Sequence, residues 1–254
     1  MIRKSHVAVP LSNTLYKILG ATLAATAIAA PAQATVIGFS AGYSLPVVHG
    51  DAWVENGYQL AFDANKEGAD GNTAVGSIID GTDPWPCVDM ACPASGDGSY
   101  YAAFNDSVIW LSSVTAGAQF QLKSLDASFI GAFPSLGSYP ALSGILRMLA
   151  FRADQTYEQI DLPLFGPSAN GFQFSTYDLL EPYASMNFTE IAMFGLVCNA
   201  SQFCTGFNTN QGQFAIDNIV LAETAAEVPE PATAAIFGLG LMGLIAGARR
   251  RRNA

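Results

Sequence analysis

Through the middle of the chain, apolar side chains alternate with polar or small ones over short stretches. A period of two puts one face of a strand against a core. The alternation predicts strands at residues 36–39, 58–62, 100–104, 108–111, 120–125, 172–177, 187–196 and 214–221. Residues 145–152 fit a helix or a strand; the short length and the preceding Gly144 favour a strand. Asn105 and Asp106 separate two of these runs and predict a tight turn. Residues 40–57 read as loop, with Gly42, Pro46, Gly50 and Gly57. Residues 63–99, rich in Asp, Gly and Pro, have no sustained period and read as a long excursion. No amphipathic helix is predicted between 35 and 225. Many short strands between Gly, Pro, Asn and Asp clusters predict an all-β sandwich or barrel.

The two ends have a different pattern. Arg3, Lys4 and Lys17 precede an apolar stretch at 18–30, and Ala32, Gln33 and Ala34 form an A-x-A cleavage site. This is a secretory signal peptide, and the mature chain is expected to start at Thr35. At the other end, residues 232–248 contain no charge. As a helix this run reaches about 26 Å, just short of a hydrocarbon core roughly 30 Å thick. Arg249, Arg250, Arg251 and Arg252 follow it and are expected to stay cytoplasmic. Pro229 and Pro231 keep that helix from extending backwards, so the segment around Glu230 is presented as extended chain at the outer boundary. The chain therefore divides into a signal peptide (1–34), an exported domain (35–224) and a C-terminal sorting segment (225–254).

That C-terminal order of Pro229, Glu230 and Pro231, a Gly-rich apolar span and an arginine cluster resembles the PEP-CTERM sorting signal of Gram-negative bacteria. The resemblance implies recognition by an exosortase in the inner membrane, cleavage near the motif, and delivery to the cell surface or extracellular matrix. A second resemblance sits just upstream. Gln213, Phe214 and Asp217 are spaced as in the closing strand of a PEP-CTERM subfamily with a Gln-Phe-x-x-Asp motif. Residues 120–126 and 188–194 also resemble strands of those domains. What this implies is a jelly-roll-like β-sandwich akin to carbohydrate-binding modules, flanked by the N-terminal signal helix and the C-terminal transmembrane helix.

Charge narrows the partners. Of the 11 basic residues only Lys66, Lys123, Arg147 and Arg152 fall in the exported domain, against 19 acidic ones from Asp51 to Glu223, a net charge of 4 − 19 = −15. So acidic a domain argues against nucleic acid and anionic polysaccharide as direct partners and is compatible with divalent cations, neutral glycans or a solvated surface kept soluble by repulsion. Cys87, Cys92, Cys198 and Cys204 form two local pairs in an exported chain, which favours disulfides. Three connectivities are open; the sequential one is simplest, and a zinc site made by all four is the rival.

Catalytic signals are sparse. The mature chain has one histidine, His49, and no Gly-x-Ser-x-Gly elbow. Asp217 lies in an otherwise apolar strand, where an ionised carboxylate needs a partner or a metal. By resemblance to glycan-binding sandwiches it is the candidate ligand of a structural calcium. Trp53, Trp85, Trp110 and the tyrosines are candidate sugar-stacking groups, with Trp85 the one expected to be exposed. The sequence points first to a non-enzymatic structural or adhesive component of the surface or matrix. A calcium-assisted carbohydrate-binding module ranks second and a glycoside hydrolase third. Expected partners are the secretion machinery, the exosortase, the inner membrane before processing, and extracellular polysaccharide.

Overall fold

The computed structural model describes residues 34–40, 44–82, 87, 90–93, 98–132 and 138–223. In chain order the strands are β1 (Ala34–Ile37), β2 (Leu45–Val48), β3 (Ala52–Glu55), β4 (Tyr58–Ala64), β5 (Ala74–Asp80), β6 (Met90–Ala91), β7 (Ser99–Ala103) and β8 (Ser107–Ser113). They continue as β9 (Phe120–Phe129), β10 (Gly131–Ala132), β11 (Leu142–Phe151), β12 (Tyr157–Phe165), β13 (Ser175–Asp178), β14 (Glu190–Cys198), β15 (Cys204–Thr205) and β16 (Phe214–Glu223).

Two antiparallel sheets of seven strands make a sandwich. The first runs β13-β9-β16-β7-β5-β2, with β1 also on β16. The second runs β12-β11-β14-β8-β4-β3, with β15 on β14. Successive strands cross from one sheet to the other, as from β4 to β5 and from β8 to β9, so the core closes only when distant segments meet. Tyr58, Phe62, Tyr101, Phe120, Phe129, Phe188 and Phe214 fill it, each 2% exposed or less. Phe62 and Tyr101 stack across it at 4.4 Å.

The alternation placed the central strands correctly. Asn105 and Asp106 make the expected tight turn, both with left-handed backbone (φ 56° and 52°), and it carries the chain from β7 in the first sheet to β8 in the second. Two expectations are corrected. Residues 40–57 hold β2 and β3, and Asn56 with Gly57 turns β3 into β4 (φ 51° and 86°). Residues 63–99 hold β5, β6 and the start of β7 rather than one excursion. β5 does not alternate because both of its faces are covered: Ile78 faces the main core and Ile79 a second, smaller cluster. The expectations from sequence also omit β12, although Ile160, Leu162 and Leu164 alternate with outward residues along it. It is an edge strand of its sheet and carries Pro163, which is tolerated there because an edge does not need every N–H.

The second cluster lies on the outer face of the first sheet. Ile79, Tyr100, Ala102, Ile130 and Ala215 are covered there by Cys87, with Met90 and Cys92 packed alongside. Both sequential disulfides, Cys87–Cys92 and Cys198–Cys204, are formed. The first therefore fixes a cover over the sheet as well as stiffening a loop. Each closes a short loop, so each stabilises by less than about 3 kcal/mol. Thiol titration of the denatured protein is expected to find no free thiol before reduction and all four cysteines after it. Thiols before reduction would contradict the bridges.

Burial also sets the alkaline limit. Desolvation pushes the Tyr100 and Tyr101 phenols far above the usual value of 10.0, and raises Tyr58 less. A phenol whose folded pKa is raised contributes stability that is fully present below the unfolded value and lost as pH rises above it. Stability should therefore fall from about pH 10 upward. Ultraviolet titration should show Tyr100 and Tyr101 ionising together with unfolding. Their ionisation in a still-folded protein would contradict the packing.

Among the described residues no helix is long and apolar enough to cross a membrane. The expected signal helix and the apolar run at 232–248 lie outside them.

Candidate functional site

The outer face of the second sheet carries the site. In β8, β11 and β12 every second residue enters the core, so the residues between them point outward. Trp110 on β8, Phe151 on β11 and Tyr157 on β12 therefore share one outward face. Trp110 is opposite Ala192 of β14, and Ala192 is opposite Leu149 of β11. The small Ala192 side chain lets the Trp110 and Phe151 rings meet over β14, with centroids 6.4 Å apart and planes 26° apart. Phe151 is opposite Tyr157, and their rings lie 5.7 Å apart. The three rings cross three strand spacings, roughly 14 Å. Tyr157, at the outer end, is 56% exposed.

Polar groups border the row. Gln59, Ser112 and Glu190 continue the register line that contains Phe151 and Tyr157. Beyond the Leu149 and Gln159 pair on the same face, Arg147 and Asp161 form a bidentate pair, with Nε to Oδ1 at 2.8 Å and Nη2 to Oδ2 at 2.7 Å. The hydrogen bonds it donates to Asp161 hold the Arg147 guanidinium above its ordinary pKa. Gln159 donates to the same carboxylate at 3.1 Å. The Arg147 charge is thus matched within the face. What remains is an aromatic strip edged by amide, hydroxyl and carboxylate groups, an arrangement suited to stacking on flat apolar faces and bonding hydroxyls at their edges.

The residues singled out from sequence are scattered. Trp110 is in the row. Trp53 is not: its Nε1 donates to Glu55 Oε2 at 2.9 Å, and its ring packs beside the buried Phe39. Glu55 also accepts the Phe39 N–H at 3.0 Å, so Trp53 and Glu55 tie the end of β1 to the other sheet. Trp85 lies outside the described residues, as do Ala32 and the sorting residues Pro229, Glu230, Pro231, Arg249, Arg250, Arg251 and Arg252. Ala34 opens β1, paired with Ala222. His49 Nδ1 is 3.1 Å from Asp63 Oδ1 at the turn after β2.

Asp217 is 7% exposed. It sits where β16 changes partner, from β7 (through Ile216) to β1 (from Ile219), at a register shift next to Asn218 (φ 47°). Its Oδ1 accepts the Asn218 N–H at 2.7 Å. Asp126 stands opposite it on β9 and accepts from the Asn218 amide at 2.8 Å. Among the described residues no group of three or more His, Cys, Asp or Glu side chains comes together that could hold a metal ion. The calcium expectation therefore has this one carboxylate and its neighbour as its only visible basis.

Sequence reasoning did not single out Phe151 or Tyr157. The register joining them to Trp110 spans 157 − 110 = 47 residues of chain, and nothing local encodes it.

A family model for the PEP-CTERM protein-sorting motif matches residues 227–252. No curated protein matches the chain. Among solved structures, the tandem CBM22-1–CBM22-2 domain of Paenibacillus barcinonensis Xyn10C is similar at 11% identity and a TM-score of 0.32, over 79% of this chain and 52% of that one. The chain thus spans about half of that tandem. A family 29 carbohydrate binding module from Piromyces equi is similar at 10% identity and a TM-score of 0.31, over 80% of this chain and 98% of that one. The xylan-binding module CBM15 is similar at 14% identity and a TM-score of 0.28, over 71% and 96%.

Proposed function

We propose that this chain is an exported, exosortase-processed surface or matrix protein, and that its sandwich is a non-catalytic adhesive module for neutral polysaccharide. The sorting motif at 227–252 supports the export half, since a signal of this class implies an exported protein held transiently in the membrane. The single observation that carries the other half is the row of Trp110, Phe151 and Tyr157 on the outer face of the second sheet. The net charge of the domain repels anionic polymers and leaves an uncharged glycan as the ligand.

Two experiments test the two halves. The extracellular form recovered from the native host should have a mass lacking the segment after the Pro-Glu-Pro motif; a full-length, membrane-bound product would contradict processing. That extracellular form should be retained on the host's own neutral polysaccharide; elution with the void volume would remove the adhesive reading. Calcium assistance is proposed through Asp217. It requires that calcium raise the melting temperature of the wild type and not of Asp217→Ala. No shift at millimolar calcium sinks it.

A further inference from the structure

At one end of the sandwich is a cleft of about 630 Å³, within the range of small-molecule sites. Phe129, Ile130, Val197, Phe203 and Tyr139 supply its apolar lining. Asn199, Gln211 and Gln213 supply side-chain amides. Among the described residues none that lines it is charged, in a domain of net charge −15. An uncharged wall in so acidic a protein selects against ions and suits a ligand made of hydroxyl groups. Amides both donate and accept, which matches hydroxyls, and the ring of Phe203, 67% exposed, offers an apolar face beside them.

The walls are held in place from behind. The turn at 199–203 is closed by the Cys198–Cys204 bridge, and Asn199 Oδ1 accepts the N–H groups of Ser201 (2.9 Å) and Phe203 (3.1 Å). The segment carrying the glutamines is fixed by Asp106, 4% exposed, whose carboxylate accepts the N–H groups of Asn210 (3.0 Å) and Gly212 (3.1 Å) on either side of Gln211. Gln213 Nε2 donates to the Asn210 carbonyl at 3.0 Å, which leaves its amide oxygen as an acceptor. A site held this way loses little freedom when it binds.

We infer that this cleft is a second binding site, separate from the aromatic row, and that it takes a single neutral sugar ring. Asp106 acts as a positioning residue and Phe203, Gln211 and Gln213 as contacts.

The test is saturation-transfer NMR on the full chain in a zwitterionic detergent with no sugar headgroup. The probes are glucose, galactose and xylose, with glucuronate as the charged control. At least one neutral sugar should be saturated and glucuronate should not. In a Trp110→Ala, Tyr157→Ala background, which removes the aromatic row, at least one neutral sugar should still be saturated, and adding Phe203→Ala and Gln211→Ala should weaken that binding at least tenfold. Phe203 is exposed, so the cleft variant should keep the wild-type melting temperature. In that background, no saturation by any neutral sugar, equal saturation by glucuronate, or saturation that survives the two cleft substitutions overturns the inference. Loss only in the Trp110 and Tyr157 variant also overturns it, while leaving the sheet-face reading intact.

Discussion

Gly195→Ala is expected to destabilise the domain by about 3 kcal/mol, at the upper end of what overpacking usually costs. A Cβ at Gly195 would lie 2.1 Å from the Gly212 carbonyl oxygen and 2.8 Å from its carbon. Both are backbone atoms and cannot swing away. β14 and the segment leading into β16 would have to separate, and these join the two sheets at the cleft end. For a domain of this size the loss corresponds to a fall in melting temperature of roughly 6–12 °C. Gly71→Ala is the control: a Cβ there meets nothing within 4 Å, and its melting temperature should stay near that of the wild type. Equal melting of the two variants would contradict the close approach.

The second large effect is on binding. Trp110→Ala and Tyr157→Ala together should cut affinity for neutral polysaccharide by about a hundredfold, tenfold for each aromatic anchor. Neither side chain belongs to the core, so the fold should persist. Phe151 is a poorer target because it packs between the other two rings. Ala192→Leu tests the same geometry by another route. Ala192 is 2% exposed, beneath the place where Trp110 and Phe151 meet. A larger side chain there would push the rings apart and weaken binding without removing either of them. Wild-type affinity in Ala192→Leu would mean that the ring spacing does not matter.

Much of the fold was legible because one-sided strands carry a period of two. β4, β8 and β11 expose one face and bury the other, and their sequences alternate accordingly. Legibility failed where that asymmetry failed, and also at β12, which alternates but carries Pro163, a residue that argues against a strand. β5 is covered on both faces, by the main core and by the Cys87 cluster, so its apolar residues come in pairs rather than singly. β2 and β3 are four residues each, too short to set a period. The Asn56 and Gly57 turn was the signal that could have revealed β3, because both residues accept a left-handed backbone.

The site was less legible than the fold. Trp110 stood out as an aromatic, yet its partners are set by register across β14, and register depends on the whole sheet. Trp53 looked equivalent in sequence, but its indole N–H is committed to Glu55 inside the fold. An ionised Asp217 in an otherwise apolar strand needs a partner. The structure answers its charge in part with the Asn218 N–H at a strand irregularity, a form of satisfaction that alternation alone does not reveal.

The aromatic row is the central claim, and one binding measurement addresses it most directly. The extracellular form and its Trp110→Ala, Tyr157→Ala variant would be titrated against immobilised neutral polysaccharide from the host. Saturable retention of the wild type, with about a hundredfold weaker retention of a variant that melts at the same temperature, is the predicted result. Equal retention of the two proteins, or none by the wild type, would contradict the claim.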